Sequence, residues 1–311
     1  MERLCSSGSW PPSACFSCGP DAVMDQPLPH DLADRIRSLS THLEPHPTNA
    51  VPILDPMPGI RAVLFDIYGT LVISASGDIR LAGERNTTSA FAAALEAAGI
   101  AAPDAVGPDR LEQTIRAFHA QHKATGTEFP EVNILDIWGH VLPSQDYLAR
   151  LAVEYECRVN PVWPMPGLAR LLADVRRRPL VLGIVSNAQF YTPLMLEGLL
   201  GASLPDLGFD TECCAWSYRL LEGKPSTRIY EVALAGLDQR HGIVPSEVLY
   251  VGNDLRNDIW PASLTGCRTA LFAGDARSLR LREDDPRCAD IVPDRVVTAL
   301  HQITDNLLAT A

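Results

Sequence analysis

Val63-Leu64-Phe65 runs apolar into Asp66, and Gly69-Thr70 follow at once. A short apolar run closed by a carboxylate and then by turn residues describes a buried strand that delivers an acid to its C-terminal tip. Open α/β sheets bind their ligands at such tips. One segment of nine residues, Val63 to Leu71, therefore constrains both the fold class and the place to look for chemistry.

Strand-like runs recur downstream at Leu180–Val185, Thr211–Trp216, Val248–Val251 and Thr269–Phe272. Helical patterns stand between them, from Pro166-Gly167 to about Arg178, from Thr227 to Leu237 and from Asp258 to Leu264. A last strand at Asp290–Val292 and a helix from about Asp294 close the chain. Alternation of this kind predicts an α/β fold, a doubly wound and mostly parallel sheet of Rossmann-like type.

Between Thr70 and Pro166 the pattern differs. Leu71–Arg80 reads as a hairpin turning at Ser76-Gly77-Asp78, and four helices follow at about 87–99, 109–124, 131–141 and 145–158. Asn86-Thr87-Thr88 suits the first as a cap, and Leu111, Ile115 and Phe118 share a face of the second. Phe129-Pro130-Glu131-Val132 marks a loop entering a helix. The expected organisation is a flexible extension over 1–55, an α/β core over 56–75 and 160–311, and an α-helical insert over 76–159. Within the extension, Leu32, Ile36 and Leu39 have the spacing of one short helix from Asp31 to His42, and Met24 is an alternative start.

Composition narrows the function classes. The 311 residues are 46% hydrophobic with a mean hydropathy of +0.02, as in soluble globular proteins. A net charge of −12 opposes binding to nucleic acid, which rests on cations neutralising phosphates, and points to a small-molecule substrate. The absence of an apolar span or a secretory leader predicts a cytoplasmic protein with no membrane association. Oligomeric state is not legible. The eight cysteines, at 5, 15, 18, 157, 213, 214, 267 and 288, are too dispersed for a disulfide framework and are expected as thiols. Cys15 and Cys18 have zinc-like spacing without a second pair to complete the site.

Three further motifs lie at strand tips or before helices. Ser186-Asn187 follows the run ending Ile184-Val185, Gly223-Lys224-Pro225 precedes a helix, and Val251-Gly252-Asn253-Asp254-Leu255-Arg256-Asn257-Asp258 ends another strand. Together with Asp66 and Thr70 they resemble the four ordered motifs of the haloacid dehalogenase (HAD) superfamily. The resemblance covers the chain from about Arg61 to its end. It implies a hydrolase with Asp66 as covalent nucleophile, Ser186 and Lys224 stabilising the charge that builds on the substrate, and Asn187 assisting through its backbone amide. It also implies Mg²⁺ held by Asp66, Asp254 and Asp258, with Asn253 where the first acid often stands, and it makes the helical insert a cap. Arg80, Arg85, Arg116, His119, His122 and Lys123 in that insert are candidates for gripping an anion.

Residue 68 divides the possibilities. HAD phosphatases place an aspartate there to protonate the leaving alkoxide; here it is Tyr68, and a phenol is about six pKa units weaker as an acid. Asp-x-Tyr-Gly-Thr is similar to the first motif of the 2-haloacid dehalogenases, which use no metal and expel a halide that needs no proton. Tyr230, six residues after Lys224, also matches a tyrosine of that group, and with Asn187 it is expected among the substrate-binding residues. The favoured expectation is Mg²⁺-assisted hydrolysis of a small phosphorylated compound. The alternatives are dehalogenase-like displacement of halide, or a catalytically weak fold kept for binding.

Overall fold

The structure is a computed structural model that describes residues 31–76, 87–101, 106–142, 147–305 and 307. The chain enters through helix α1 (Leu32–Leu39), strand β1 (Ala62–Phe65) and strand β2 (Val72–Ser74). Four helices follow: α2 (Thr87–Ala97), α3 (Pro108–Ala124), α4 (Ile134–Val141) and α5 (Leu148–Val159). After β3 (Val162–Pro164) come α6 (Leu168–Arg176), β4 (Val181–Ser186), α7 (Tyr191–Leu200), α8 (Leu204–Leu207), β5 (Phe209–Trp216), α9 (Ser217–Leu220) and α10 (Arg228–His241). The chain ends through β6 (Val248–Gly252), a π-helical turn at Leu255–Ile259, α11 (Trp260–Leu264), β7 (Arg268–Phe272), β8 (Arg295–Val297) and a 3₁₀ turn at Leu300–Ile303.

Six strands form one parallel sheet in the order β5-β4-β1-β6-β7-β8. Successive side chains of a strand point to opposite faces. In β1 this sends Val63 and Phe65 into one apolar core and Ala62 and Leu64 into a second, on the other side of the sheet. All four are fully buried, because helices cover both faces as parallel sheets require. The strands expected at 180–185, 211–216, 248–251 and 269–272 are all present, shifted by one or two residues at their ends. The last pair is displaced: residues 290–292 are not a strand, the edge strand is β8, and a 3₁₀ turn replaces the helix expected from Asp294. Asp294 instead accepts hydrogen bonds from Thr269 N (2.8 Å) and Arg268 Nε (2.9 Å), tying the approach of β8 to the start of β7.

The second arm of the hairpin expected over Leu71–Arg80, with part of its turn, lies outside the described residues, at 77–80. β2 pairs antiparallel with β3 across the insert, Ile73 opposite Trp163. Phe91, Trp138 and Tyr155 meet at centroid distances of 5.6–5.8 Å and hold α2, α4 and α5 together. Pro108 stands at the start of α3, where its missing N–H costs nothing, and Asn133 Oδ1 caps α4 by accepting from Leu135 N (3.0 Å).

Residues 31–55 do not behave as a flexible extension. Leu32 and Ile36 of α1 are buried against the core, a gain of roughly 1.5–3 kcal/mol for each such side chain. A Cβ on Gly198 of α7 would lie 2.5 Å from Ala33 O, so only glycine allows the two helices to approach this closely. Arg35 and Arg158 both pair with Glu154, a carboxylate with no exposed surface on α5. Further on, Ile53 exchanges backbone hydrogen bonds with Val296 (2.8 and 3.1 Å) and covers the outer edge of the sheet. Cys5, Cys15, Cys18 and Met24 lie outside the described residues. Cys157, Cys213, Cys214, Cys267 and Cys288 are buried free thiols. No helix among the described residues is long and apolar enough to cross a membrane.

Candidate active site

β1 lies between β4 and β6, so the chain leaves it to either side and a crevice opens at the carboxyl ends of these strands. Asp66 follows β1, Ser186 ends β4, Lys224 lies beyond β5 and Asn253 and Asp254 follow β6. Motifs separated by up to 192 positions thus meet because their strands are neighbours.

The meeting point is one oxygen atom. Asp66 Oδ1 accepts from Ser186 Oγ at 3.0 Å and from Lys224 Nζ at 2.7 Å, and neither bond falls on Oδ2. Lys224 Nζ also donates to Asp258 Oδ1 (2.6 Å) and to Tyr250 OH (3.2 Å). Lys224 is only 7% exposed; burial alone would favour its neutral form, but Asp258 and Asp66 hold its pKa above the ordinary lysine value. Burial raises the Asp258 carboxyl to about 6, against the opposing pull of Lys224. The side chain of Asn187 grips the backbone of Lys224 from both sides, accepting from its N–H at 2.7 Å and donating to its carbonyl at 3.3 Å. Its role here is to fix the lysine.

Asp258 is the hub of the fourth motif. Its Oδ2 accepts from the backbone amides of Asn253 (3.0 Å) and Asp254 (2.9 Å), while Tyr250 OH reaches Oδ1 at 2.9 Å. Tyr250 was not among the residues expected from sequence. It sits within the apolar run Val248–Gly252, where a lone tyrosine is the signal that a strand carries a polar group inward. Tyr230, expected to touch substrate, is fully buried instead, and its hydroxyl donates to the carbonyls of Asn257 (2.8 Å) and Asp258 (3.2 Å), bracing the turn from below.

Asp254 caps the π turn through Arg256 N (2.9 Å) and Asn257 N (3.2 Å), and it also holds Arg282 in a two-pronged ion pair. Arg282 lies on the long connection after β7, where nothing in the sequence pattern marked it. Thr70 Oγ1 donates to Asn253 Oδ1 at 3.0 Å, and Asn253 Nδ2 donates to Ser278 O at 2.7 Å. A Cβ on Gly69 would come within 2.5 Å of Ser278 and 2.7 Å of Asn253, and its φ of +83° lies where glycine is at ease.

Tyr68 points away toward α7. Its hydroxyl lies 2.9 Å from Thr192 Oγ1 and donates to Met195 Sδ at 3.3 Å. Enclosure there pushes the phenol well above its usual pKa, with the nearby Glu156 carboxylate adding to the effect. From the helical insert, the 129–133 loop reaches the site walls: Gly223 N donates to Phe129 O (2.9 Å) and Gln189 Nε2 to Val132 O (2.8 Å). These bonds hold 131–133 out of α4, which starts three residues later than its sequence pattern suggested. Arg116 is engaged by Glu112 on its own helix, and Arg80 and Arg85 lie outside the described residues.

Comparison with known proteins places the chain in a family. A phosphoglycolate phosphatase of Xylella fastidiosa is 30% identical over 229 residues, which cover 73% of this chain and 84% of that protein. The 2-haloacid dehalogenase of Pseudomonas syringae pv. tomato DC3000, 19% identical, shares the fold with a TM-score of 0.50 over 79% of this chain and 97% of that one. A family model described as haloacid dehalogenase-like hydrolase matches residues 60–264. The chain belongs to the haloacid dehalogenase-like hydrolases and is an enzyme of that family.

Proposed function

We propose that this hydrolase cleaves a small phosphorylated compound through a covalent intermediate on Asp66. The observation that carries the reading is the convergence of Ser186 and Lys224 on Oδ1 of Asp66, which holds the carboxylate in one orientation and leaves Oδ2 as the attacking atom. The relationship to a phosphoglycolate phosphatase supports phosphorus as the atom attacked.

In the first step Asp66 Oδ2 forms a bond to phosphorus while the bond from phosphorus to the leaving oxygen breaks, its electron pair departing with the leaving group. Lys224 offsets the negative charge on the nucleophile and on the phosphoryl oxygens, and Ser186 Oγ donates to the same cluster. In the second step water attacks phosphorus, inorganic phosphate leaves, and the carboxylate is restored. Tyr68, engaged with Thr192 and Met195 and kept neutral by burial, protonates the leaving group poorly. Compounds whose leaving group departs as a stable anion, such as acyl phosphates, are therefore the favoured substrates. The helical insert closes over the site as a cap and selects among them, with the 129–133 loop closest to the chemistry.

A second reading is favoured by the same tyrosine: displacement of halide from carbon, in which the leaving group needs no proton and water later attacks the carboxyl carbon of Asp66. Phosphatases of this family commonly use Mg²⁺, whereas what separates the two readings is the group released, phosphate or halide. The test is release of phosphate from a panel of acyl phosphates and phosphomonoesters, and of chloride from 2-chloropropionate, each with Mg²⁺ and with EDTA. Phosphate release that disappears in Asp66→Asn is expected. Chloride release without phosphate release would replace the first reading by the second.

A further inference from the structure

The acids expected to hold Mg²⁺ do not offer it a site as they stand. A carboxylate has about four lone-pair positions. Asp258 fills its own with Lys224, Tyr250 and the amides of Asn253 and Asp254. Asp254 Oδ1 takes Arg256 N, Asn257 N and Arg282 Nε, and its Oδ2 takes Asn257 Nδ2 at 3.0 Å and Arg282 Nη2 at 2.5 Å. Among the described residues, one ligand atom each from Asp66, Asp254 and Asp258 do not gather within 4.8 Å of one another; the group that does is Asp210, Cys213 and His241, on β5 and α10. Mg²⁺ meets proteins through one or two carboxylates with free oxygen lone pairs. Here the remaining acid, Asp66, already faces an ammonium at 2.7 Å.

Arg282 is held where it is by its surroundings. Its φ of +54° is in the left-handed region, uncommon for a residue with a side chain. The segment before it is laced to the fourth motif, with Leu255 N donating to Arg280 O (2.9 Å) and Arg280 N to Asn253 O (3.0 Å). The guanidinium therefore arrives on Asp254 as a planar fork fixed at both ends, the geometry in which arginine and carboxylate match best.

We infer that Arg282 takes the place of a divalent cation: it neutralises Asp254 from within the chain and closes the position at which Mg²⁺ would bind. The inference rests on this crevice being the active site, but not on which substrate it takes, because metal binding is measured without substrate. The probe is Mn²⁺, followed by the electron paramagnetic resonance signal of the free ion during titration with the full chain. The wild-type protein is expected to show no site tighter than about 1 mM, Arg282→Gln to bind at least about tenfold more tightly, and Asp254→Asn in that background to remove the gain. Wild-type binding well below 1 mM that Asp254→Asn abolishes would overturn the inference, whether or not the arginine variant folds. Equal binding by the wild type and a folded Arg282→Gln would overturn it as well.

Discussion

Two walls of the crevice are built from the same ingredients, a buried carboxylate and a basic side chain, and end in opposite states. On one, Lys224 divides its ammonium between Asp66 and Asp258. On the other, Arg282 closes both prongs on Asp254. An ammonium is a point charge with three donors on a flexible stem, able to follow negative charge as it moves from nucleophile to substrate; a guanidinium fork matched to one carboxylate is not. The first wall is thus suited to chemistry and the second to holding shape.

Substitutions on the two walls should separate accordingly. Asp66→Asn removes the nucleophile and is expected to lower kcat by about 10³-fold or more with the melting temperature held, as read by steady-state kinetics and a thermal scan. Retained activity would move the nucleophile elsewhere. Lys224→Met should lower kcat by roughly 10²–10³-fold and, by stranding two buried carboxylates, also cost about 3–5 kcal/mol of stability. A loss of activity without a loss of stability would mean that the ion pairs count for little.

A third change is expected with pH. Because Asp258 titrates at about 6, up from 3.8, its ionised form and hence its pairing with Lys224 fade below that pH, so kcat/KM should fall on the acid side with a midpoint near 6. Stability runs the other way. A carboxyl whose folded pKa is raised contributes stability below its unfolded value and loses it as pH rises through the folded one, between about 4 and 6 here. Asp258→Asn should flatten the acid limb; an unchanged profile would remove Asp258 from this role. The smallest effect is expected at Tyr68→Phe, which gives up the hydroxyl's contacts to Thr192 and Met195 and costs roughly 1 kcal/mol with kcat nearly unchanged. A fall in kcat of about 10²-fold or more would make the phenol a proton donor after all.

The comparison also shows what a sequence can reveal. The strands of the central sheet are buried on both faces, so β1, β4, β6 and β7 stand out as apolar runs, and the residues at their tips were legible as a set. β3 is three residues long and contains Pro164, too little for a pattern. β8 was placed at 290–292, yet the buried strand is 295–297 and opens with Arg295, a cation whose guanidinium reaches the carbonyls of Ile303 and Asp305. Composition hides such a residue, since arginine is rarely fully buried. The site was legible in the same measure. Asp66, Ser186 and Lys224 meet because each lies at or beyond the carboxyl end of a neighbouring strand, whereas Arg282 arrives from an irregular connection whose path no local pattern encodes.

The mechanism stands or falls on covalent phosphorylation of Asp66. Acid quenching during turnover of an acyl phosphate, followed by peptide mass spectrometry, tests it most directly. A phosphoryl group is expected on the peptide carrying Asp66, formed in the presence of EDTA and absent from Asp66→Asn. Turnover without that adduct, undiminished in Asp66→Asn, would contradict it.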